Sequence, residues 1–483
     1  MQKAESPKTD KTELADIETN DNGRPHRGFS SSLWTAGAGL LAFLLPLLVN
    51  IPGLDAPGER MLAILLLAIV LWVTEAIPLV ATALLVILLQ VLMISEQALL
   101  PVGSEALRAA HYYAALADPV IVLFLGGFMI ANGAAKYAVD RNVASLLLRP
   151  FAGNARRSLL GFMIITALLS MFLSNTATAA TMFAVILPLL AALPEGSART
   201  GLALSIPVAA NVGGIGTPVG SPPNAIALGA LVARGEGVSF LGWVLLAGPL
   251  MLVVLGFAWW YLAHRYIPAG VQLELEVEVN FDRSVPATVY YVIAFLTIVL
   301  WLTEPIHGIP AYTVGFVPVV ALLATRVMTG DDLRQLQWPV LWLVAGGIAL
   351  GAGIGATGLD RWLLGLVVWE RLPVVALLAL LVVAGLGMST VISNSATANL
   401  LVPLALGLGT GLPIDPTAIG VLVAVSCALA MALPISTPPN AVAYATGEVP
   451  IKAMVGSGLI IGGVGALVLA LLMPWLWEVL GLL

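Results

Sequence analysis

The sequence predicts an all-α polytopic membrane protein with about 11 transmembrane helices plus two re-entrant helical hairpins. Of its 483 residues, 59% are hydrophobic and only 10% are charged, and the mean hydropathy of +1.00 excludes a soluble domain of this length. Apolar segments long enough to cross a bilayer recur along the chain. Several motifs also occur twice, which divides the chain into two halves.

The N-terminal segment differs from everything that follows it. Residues 1–32 are rich in charged and small polar side chains and have no apolar core of the kind that a signal peptide needs. We expect a disordered cytoplasmic tail there. The single cysteine, Cys427, lies in an apolar run and excludes an intrachain disulfide, so it is interpreted as a packing residue.

Apolar segments that could each cross the hydrocarbon layer, which takes about 20 helical residues, follow the tail. They fall near residues 33–50, 61–77, 79–94, 118–135, 202–233, 240–262, 286–302, 310–327, 339–357, 417–446 and 453–477. Two other apolar stretches, 158–192 and 373–411, carry a polar phrase near their centres. Each is predicted to be a hairpin that enters and leaves the same face of the membrane and turns at the polar phrase.

The lysines and arginines indicate the orientation, because cytoplasmic loops are enriched in them. With the N-terminus in the cytoplasm, the outer loops hold few of the 21 basic residues. These few are Arg60, Arg108, Arg234, Arg361 and Arg371. The chain is therefore predicted to be an integral protein of the bacterial inner (cell) membrane, with a cytoplasmic N-terminus.

The repeat is most evident at the polar phrases. Ser174-Asn175-Thr176-Ala177-Thr178 recurs as Ser393-Asn394-Ser395-Ala396-Thr397, Gly126-Gly127 recurs as Gly346-Gly347, and Ser221-Pro222-Pro223-Asn224 recurs as Thr437-Pro438-Pro439-Asn440. Five predicted crossings separate the two hairpin tips, and an odd number sets the hairpins on opposite sides of the membrane. Inverted repeats with broken helices are typical of secondary transporters.

The repeat also sets the predicted domain boundaries. They are a tail at 1–32, an extra first helix at 33–60, a first inverted repeat at 61–265, a cytoplasmic linker at 266–285 and a second inverted repeat at 286–483. The alternating stretch 273–279 in the linker could be a short strand, but a solvated linker is the favoured interpretation.

The side chains of the repeated polar phrases indicate a site that binds small ions and not one that performs covalent catalysis. Consecutive prolines break the helices at residues 211–224 and 433–440, which frees backbone carbonyl and amide groups. Hydroxyl and carbonyl oxygens suit Na⁺, whereas amides and helix N-termini suit a carboxylate. No lysine, arginine or histidine occurs in these phrases, so a bound anion would need a cation beside it.

These motifs resemble those of the divalent anion/sodium symporter (DASS, INDY-like) family. The resemblance runs from about residue 33 to the end and rests on Thr74-Glu75-Ala76-Ile77-Pro78, the two hairpin tips and the paired Pro-Pro-Asn breaks. It implies a homodimer in membrane lipid, with a scaffold domain and an elevator-like transport domain in each subunit. It also implies transport of a dicarboxylate, a tricarboxylate or sulfate together with two or more Na⁺, and no nucleic-acid partner.

The same resemblance assigns the site residue by residue. The first sodium site resembles Ser170, Ser174, Asn175 and Gly220, and the second resembles Ser389, Ser393, Asn394 and Ser436. The residues expected to meet the substrate are Asn175, Thr176, Pro222, Asn394, Ser395 and Thr437. Ser395 departs from the threonine usual in the family, which leaves the preferred substrate size open.

Sodium-coupled uptake of a C4-dicarboxylate such as succinate, malate or fumarate is the leading hypothesis. Sodium-independent dicarboxylate exchange, or transport of citrate or sulfate, remains open, and so does close helix packing as the role of a single tip. A membrane enzyme or receptor is disfavoured because the duplicated phrases contain no acid, base or nucleophile set. Glu75 and Glu304 are interpreted as helix caps, and Asp140-Arg141 and Asp360-Arg361 as local ion pairs on surface helices.

Overall fold

The computed structural model describes residues 29–102, 106–273, 279–366, 373–409 and 414–482. The first half contains α1 (Phe29–Leu48), α2 (Ala56–Thr74), α3 (Leu79–Ile94), α4 (Ala109–Ala114), α5 (Pro119–Lys136), α6 (Val139–Leu148), α7 (Ala155–Ser170), α8 (Asn175–Ala191), α9 (Ser197–Gly213), α10 (Pro222–Val232) and α11 (Phe240–Tyr266). The predicted disorder of the tail falls on residues 1–28, which lie outside the described residues.

The second half repeats this order of elements from α5 onward. It contains α12 (Val285–Leu302), α13 (Glu304–His307), α14 (Ala311–Val314), α15 (Phe316–Ala324), α16 (Gly330–Arg334), α17 (Trp338–Ala356), α18 (Leu359–Gly365), α19 (Val374–Val391), α20 (Asn394–Gly409), α21 (Pro416–Ala428), α22 (Pro438–Ala445), α23 (Ile451–Leu471) and α24 (Met473–Val479). Thus α5 to α11 correspond in order to α17 to α23.

The helices are those of a membrane protein, as the sequence predicts. In the described part of the chain, seven are long and apolar enough to cross a membrane, namely Ala56–Thr74, Ala109–Lys136, Phe240–Tyr266, Val285–Leu302, Trp338–Ala356, Val374–Val391 and Ile451–Leu471. Each of the 11 predicted segments contains a helix or a broken pair of helices. The segment predicted at 61–77 begins earlier, at Ala56, because the Asp55 side chain accepts the Gly58 N–H at 2.9 Å and caps α2.

Both predicted hairpins turn at their polar phrases. In the first, α7 ends at Ser170 and α8 begins at Asn175, with the Ser174 hydroxyl accepting the Ala177 N–H at 3.2 Å. In the second, α19 ends at Val391 and α20 begins at Asn394. A serine at the N-cap satisfies one of the amides that a helix start leaves without a partner, which explains why the turn falls where it does.

The broken helices also lie where the sequence predicts them. Helix α9 ends at Gly213, and α10 begins at Pro222 after a 3₁₀ turn at Gly214–Gly216. In the second half α21 ends at Ala428 and α22 begins at Pro438. Each restart has prolines at its first two positions, where a missing N–H costs no helical hydrogen bond.

The duplicated Gly-Gly motif allows close helix contacts in both halves. A Cβ at Gly126 would lie 2.4 Å from the Gly315 carbonyl oxygen, and a Cβ at Gly346 would lie 2.3 Å from the Cβ of Ala83. Small residues permit helices to approach this closely in membranes. The motif therefore seats α5 against the α14–α15 junction and α17 against α3.

The expectation that Asp140 forms a surface ion pair with Arg141 is wrong. Asp140 on α6 is buried, and its carboxylate accepts the Thr181 hydroxyl of α8 at 2.7 Å and the Arg141 backbone N–H at 2.8 Å. It ties α6 to the hairpin instead of pairing with the Arg141 guanidinium, because adjacent residues on a helix do not face each other. Leu273, at the start of the stretch 273–279 interpreted as a solvated linker, is buried, and Gln272–Leu273 pairs antiparallel with Gly153–Asn154. Residues 274–278 lie outside the described residues, so the interpretation of that stretch stays a prediction.

Candidate functional site

A cavity of about 460 Å³ lies between the hairpin tips, the helix breaks and the ends of α2 and α17. Its polar wall comes from both halves of the chain. Predicted site residues that line it are Ser174, Asn175, Thr176, Gly220, Pro222, Ser393, Asn394, Ser395, Ser436 and Thr437. The structure thus brings the two halves of the predicted site together in one cavity.

Four helices begin at the wall of this cavity. The first residues of α8 and α20 are Asn175 and Asn394, and those of α10 and α22 are Pro222 and Pro438. The start of a helix carries the equivalent of about half a positive charge, because its first amides lack intrahelical partners. Four such ends around one space make that space favourable for an anion.

In the first hairpin tip, Ser170, which lies one helical turn before the chain reverses direction, holds the side chain of Asn175. Ser170, fully buried, lies with its hydroxyl 2.6 Å from Asn175 Oδ1 and 2.8 Å from the Ala210 carbonyl oxygen of α9. These three oxygens belong to three segments of chain. Hydroxyl, amide and carbonyl oxygens are the ligands that hard cations prefer.

Two glycines permit the close approach of the break to this tip. A Cβ at Gly214 would lie 2.5 Å from Asn175 Oδ1, and a Cβ at Gly220 would lie 2.6 Å from the Gly214 carbonyl oxygen. Any larger residue at either position would displace the amide or the loop. The predicted sodium-site residue Gly220 therefore contributes through its backbone and its lack of a side chain.

The second tip repeats the arrangement. The Ser389 hydroxyl lies 2.9 Å from Asn394 Oδ1, and Ser389 is fully buried. The Ser436 hydroxyl donates to the Thr390 carbonyl oxygen at 2.8 Å, which fastens the second break to the second hairpin. Ser170 and Ser389 thus sit behind the cavity wall and position the asparagines that form it.

The asparagine of each Pro-Pro-Asn motif holds its own break together. Asn224 Nδ2 donates to the carbonyl oxygens of Gly214 at 2.9 Å and Thr217 at 2.8 Å. Asn440 Nδ2 donates to the Met431 oxygen at 2.7 Å and the Leu433 oxygen at 3.1 Å. These amides therefore satisfy backbone oxygens that the broken helices leave without partners.

Sequence reasoning predicted Thr437 but missed three other contributors to the site, which are Thr217, Asn211 and Ser221. Thr217 donates its hydroxyl to the Met171 carbonyl, and Asn211 Nδ2 donates to Asn440 Oδ1 at 3.0 Å, which joins the two breaks directly. The Ser221 and Thr437 hydroxyls, at equivalent repeat positions, are both buried at the cavity wall without a protein partner. Ser221 could have been found as the repeat counterpart of Thr437, whereas the Asn211 contact spans 229 residues and has no local signal.

The charge of the cavity wall is unusual for an anion site. Among the described residues that line it, Glu75 is the only one with an ionisable side chain, and that side chain is acidic. No group of three or more His, Cys, Asp or Glu side chains suited to a metal occurs in the described part of the chain. The described residues of the wall therefore offer neutral oxygen ligands and helix ends, and none of them has a basic side chain.

Comparisons with known proteins agree with this geometry. Residues 69–425 match the family described as citrate transporters. A sodium-dependent dicarboxylate transporter, SdcS, of Staphylococcus saprophyticus is 30% identical to this chain, with 91% of this chain and 90% of the relative covered. SdcS of Staphylococcus aureus is 29% identical over the same shares of the two chains.

Solved structures of membrane transporters share the fold. The YdaH transporter of Alcanivorax borkumensis superposes with a TM-score of 0.55 at 16% identity, over 86% of this chain and 98% of that one. MtrF of Neisseria gonorrhoeae gives a TM-score of 0.52 at 10% identity, over 89% of this chain and 96% of that one. The protein is a membrane transporter and not an enzyme, and it belongs to the citrate transporter family within the divalent anion/sodium symporters.

Proposed function

We propose that the protein is a secondary active transporter that couples Na⁺ entry to the uptake of a C4-dicarboxylate of the succinate, malate or fumarate class. The observation that carries this proposal is the convergence of four helix N-termini on one cavity, whose described lining residues include no basic side chain. Each end stabilises a nearby anion by about 0.3–1 kcal/mol at an exposed site and by up to about 2 kcal/mol when partly buried. A dianion with two carboxylates suits a cavity with a helix-borne asparagine on each side.

Sodium as the transported cation follows from the same charge inventory. A dianion in a cavity whose described lining residues include no lysine or arginine needs compensating positive charge. The oxygen clusters at Ser170–Asn175 and Ser389–Asn394 are the candidate Na⁺ positions, so we propose two or more Na⁺ per cycle. The similarity to SdcS, a sodium-dependent dicarboxylate transporter, supports this assignment.

Some side chains of the protein would bind the substrate, and others would hold the helix breaks in position. Asn175, Thr176, Asn394 and Ser395 would bind the substrate from the hairpins, together with Pro222, Thr437 and the unpartnered Ser221 hydroxyl at the breaks. Asn224 and Asn440 would keep the breaks in shape while ions enter and leave. The cavity volume lies within the range of about 300–1,000 Å³ usual for small-molecule sites.

The larger organisation belongs to the same proposal. We take the two hairpins and the broken helices as a transport domain that moves in an elevator-like way against a scaffold, within a homodimer. The repeats at 61–265 and 286–483 would be inverted with respect to each other, the linker at 266–285 would be cytoplasmic, and the N-terminus would face the cytoplasm of a bacterial inner membrane. The mixed lining of the cavity, from hairpins on one side and the ends of α2 and α17 on the other, supports this division.

The deciding experiment is uptake of radiolabelled succinate into proteoliposomes that contain the purified protein. An inward Na⁺ gradient is compared with K⁺, in vesicles with empty lumens and in vesicles loaded with succinate. Uptake into empty vesicles with Na⁺ only supports the symporter. Sodium-independent uptake into loaded vesicles only would establish an exchanger and remove the proposed cation positions.

Competition by unlabelled anions then refines the substrate class. Malate and fumarate should suppress succinate uptake, whereas citrate and sulfate should compete weakly. Stronger competition by citrate or sulfate than by malate would replace the C4 assignment, and the methyl missing at Ser395 makes this comparison informative about size.

A further inference from the structure

Helices α8 and α20 have equivalent places in the repeat but different surroundings. One face of α20 is buried, and its residues are Ala396, Asn399 and Pro403. The equivalent face of α8 is exposed, and its residues are Ala177, Ala180 and Ala184. Helix α20 packs against α17, whereas among the described residues α8 has no comparable packing against α5, the counterpart of α17. The same helix face is thus covered in one hairpin and open in the other.

The covered face of α20 carries an amide that has no hydrogen-bond partner. Asn399 is fully buried, and in the described part of the chain neither its Oδ1 nor its Nδ2 has a partner. A Cβ at Gly347 of α17 would collide with Asn399 Oδ1, so the amide lies directly against α17. A buried amide without partners destabilises the packing that buries it. Asn399 therefore opposes the contact between α20 and α17.

The equivalent residue of the first half is Ala180. Asn399 and Ala180 each lie five residues after the asparagine of their hairpin tip, Asn394 or Asn175. Alanine has no polar group in its side chain, so packing of α8 through Ala180 would leave no side-chain amide without a partner. The two hairpins therefore differ in the cost of covering the same position.

We propose that Asn399 is a positioning residue that sets the balance between two conformations of the transport cycle by disfavouring the present one. In this conformation α20 lies on α17 and the amide is buried. In the opposite conformation α20 leaves α17, the Asn399 amide is hydrated, and α8 packs against α5 through the face that contains Ala180. This inference rests on the proposed alternating transport function.

The test measures the population of the present conformation through a disulfide between α17 and α20. A Cβ at Gly351 of α17 would lie 3.5 Å from the Cβ of Pro403, and Cβ atoms about 3.5–4.5 Å apart suit a disulfide. Gly351→Cys and Pro403→Cys are introduced together in a Cys427→Ser background. The initial rate of disulfide formation with copper phenanthroline is measured in proteoliposomes without substrate. This rate is proportional to the population in which α20 lies on α17.

We expect opposite effects from two substitutions of Asn399. Asn399→Ala removes the unpartnered amide and should raise the rate of disulfide formation roughly threefold. Asn399→Asp places a carboxyl group, which is more costly to bury, at the same position and should lower the rate roughly threefold. Ala180→Asn should raise the rate, because it gives the opposite conformation the buried amide that Asn399 gives the present one.

Two matched controls separate this effect from the general loss or gain of an amide. Gln90 of α3 is also fully buried, but its Nε2 donates to the Ala349 carbonyl oxygen of α17 at 2.8 Å. Gln90→Leu should lower the melting temperature without changing the rate of disulfide formation. Ala192→Asn, at an exposed residue directly after α8, should also leave the rate unchanged.

Shifts of the two Asn399 variants in the same direction, or no shift in either, would overturn the proposal. Ala180 is exposed, so Ala180→Asn decides the question if the Asn399 variants do not fold, and an unchanged rate there would also overturn it. Disulfide formation requires no transported anion. The expected shifts without succinate uptake would therefore support the positioning role and remove the proposed substrate alone. Normal uptake with unchanged rates would remove the positioning role alone.

Discussion

The two halves fasten their hairpins to their breaks with the same kind of contact made from different positions. In the first half Thr217 donates its hydroxyl to the Met171 carbonyl, and in the second half Ser436 donates to the Thr390 carbonyl. Met171 and Thr390 are repeat counterparts, but Thr217 corresponds to Leu433, and Ser436 corresponds to Gly220. The halves have kept a hydroxyl on that carbonyl while changing the residue that supplies it.

A second difference concerns the buried amides of the Pro-Pro-Asn motifs. Asn440 Oδ1 accepts a hydrogen bond from Asn211, whereas the buried Asn224 Oδ1 has no partner. The residue at the repeat position of Asn211 is Cys427, and a thiol is a much weaker donor than an amide. The two hairpin tips are thus equivalent, whereas the hydrogen bonds of the Pro-Pro-Asn asparagines behind them differ.

The largest expected effect tests the equivalence of the tips. Asn175→Ala and Asn394→Ala should each reduce transport roughly 100-fold or more while the protein stays folded, because each removes a proposed ligand of both substrate and cation. Succinate uptake and size-exclusion chromatography measure the two properties. Asn50→Ala, on an exposed residue outside the cavity, is the control. A fully active variant at either tip would remove that asparagine from the site.

The next largest effect tests whether the Thr217 and Ser436 hydroxyls, which come from different repeat positions, have the same function. Thr217→Val and Ser436→Ala should each raise the Na⁺ concentration for half-maximal uptake roughly tenfold, since each leaves a carbonyl without its donor and loosens the break beside a tip. Thr297→Val is a matched control, because the buried Thr297 hydroxyl donates only to Ile293 of its own helix. An effect at one position only would show that the two contacts differ in function.

A smaller effect separates Asn211 from its counterpart Cys427. Asn211→Ala should lower the free energy of unfolding by about 1–3 kcal/mol, because Asn440 Oδ1 would become a buried acceptor without a donor. Cys427→Ser should change transport by less than about threefold, since serine keeps the size and a hydrogen-bond donor. Thermal unfolding in detergent and succinate uptake measure these outcomes. A large transport loss in Cys427→Ser would contradict the packing role.

The smallest effect concerns a contact present in one half only. Lys136 pairs with Asp332 at 2.8 Å, whereas its repeat counterpart is Ala356. Burial raises the pKa of Asp332, but hydrogen bonds from Lys136 and Thr329 outweigh this and lower it. Lys136→Ala should cost about 0.5 kcal/mol of stability.

The pH dependence of this small contribution has a definite sign. A carboxyl with a lowered folded-state pKa stabilises the fold above its unfolded pKa, near 3.9, and loses that contribution as the pH falls through the folded value. The difference in melting temperature between native protein and Lys136→Ala should therefore be present at pH 7 and shrink below about pH 4. A difference that grows on acidification would show that the pair does not act through Asp332.

Most of this architecture could be predicted because short stretches of sequence determine it. The serine caps fix the hairpin turns, and consecutive prolines fix where α10 and α22 begin, so Asn175 and Asn394 could be assigned to one site from the repeat. Contacts between distant segments could not. Asp140 meets Thr181 and Asn211 meets Asn440 only because helices pack side by side, and no periodicity in the sequence encodes such neighbours.

The prolines at the starts of α10 and α22 have a consequence for release. The first two positions of each helix are prolines and have no N–H. The backbone N–H groups of Asn224 and Asn440, at the third position, donate to the carbonyl oxygens of Ser221 and Thr437. These two helix ends therefore attract an anion electrostatically but offer it no backbone hydrogen bond. Backbone hydrogen bonds to cargo would then come from the hairpin starts alone. A helix end that attracts an anion without hydrogen-bonding it suits a transporter, which must bind its substrate at one membrane face and release it at the other.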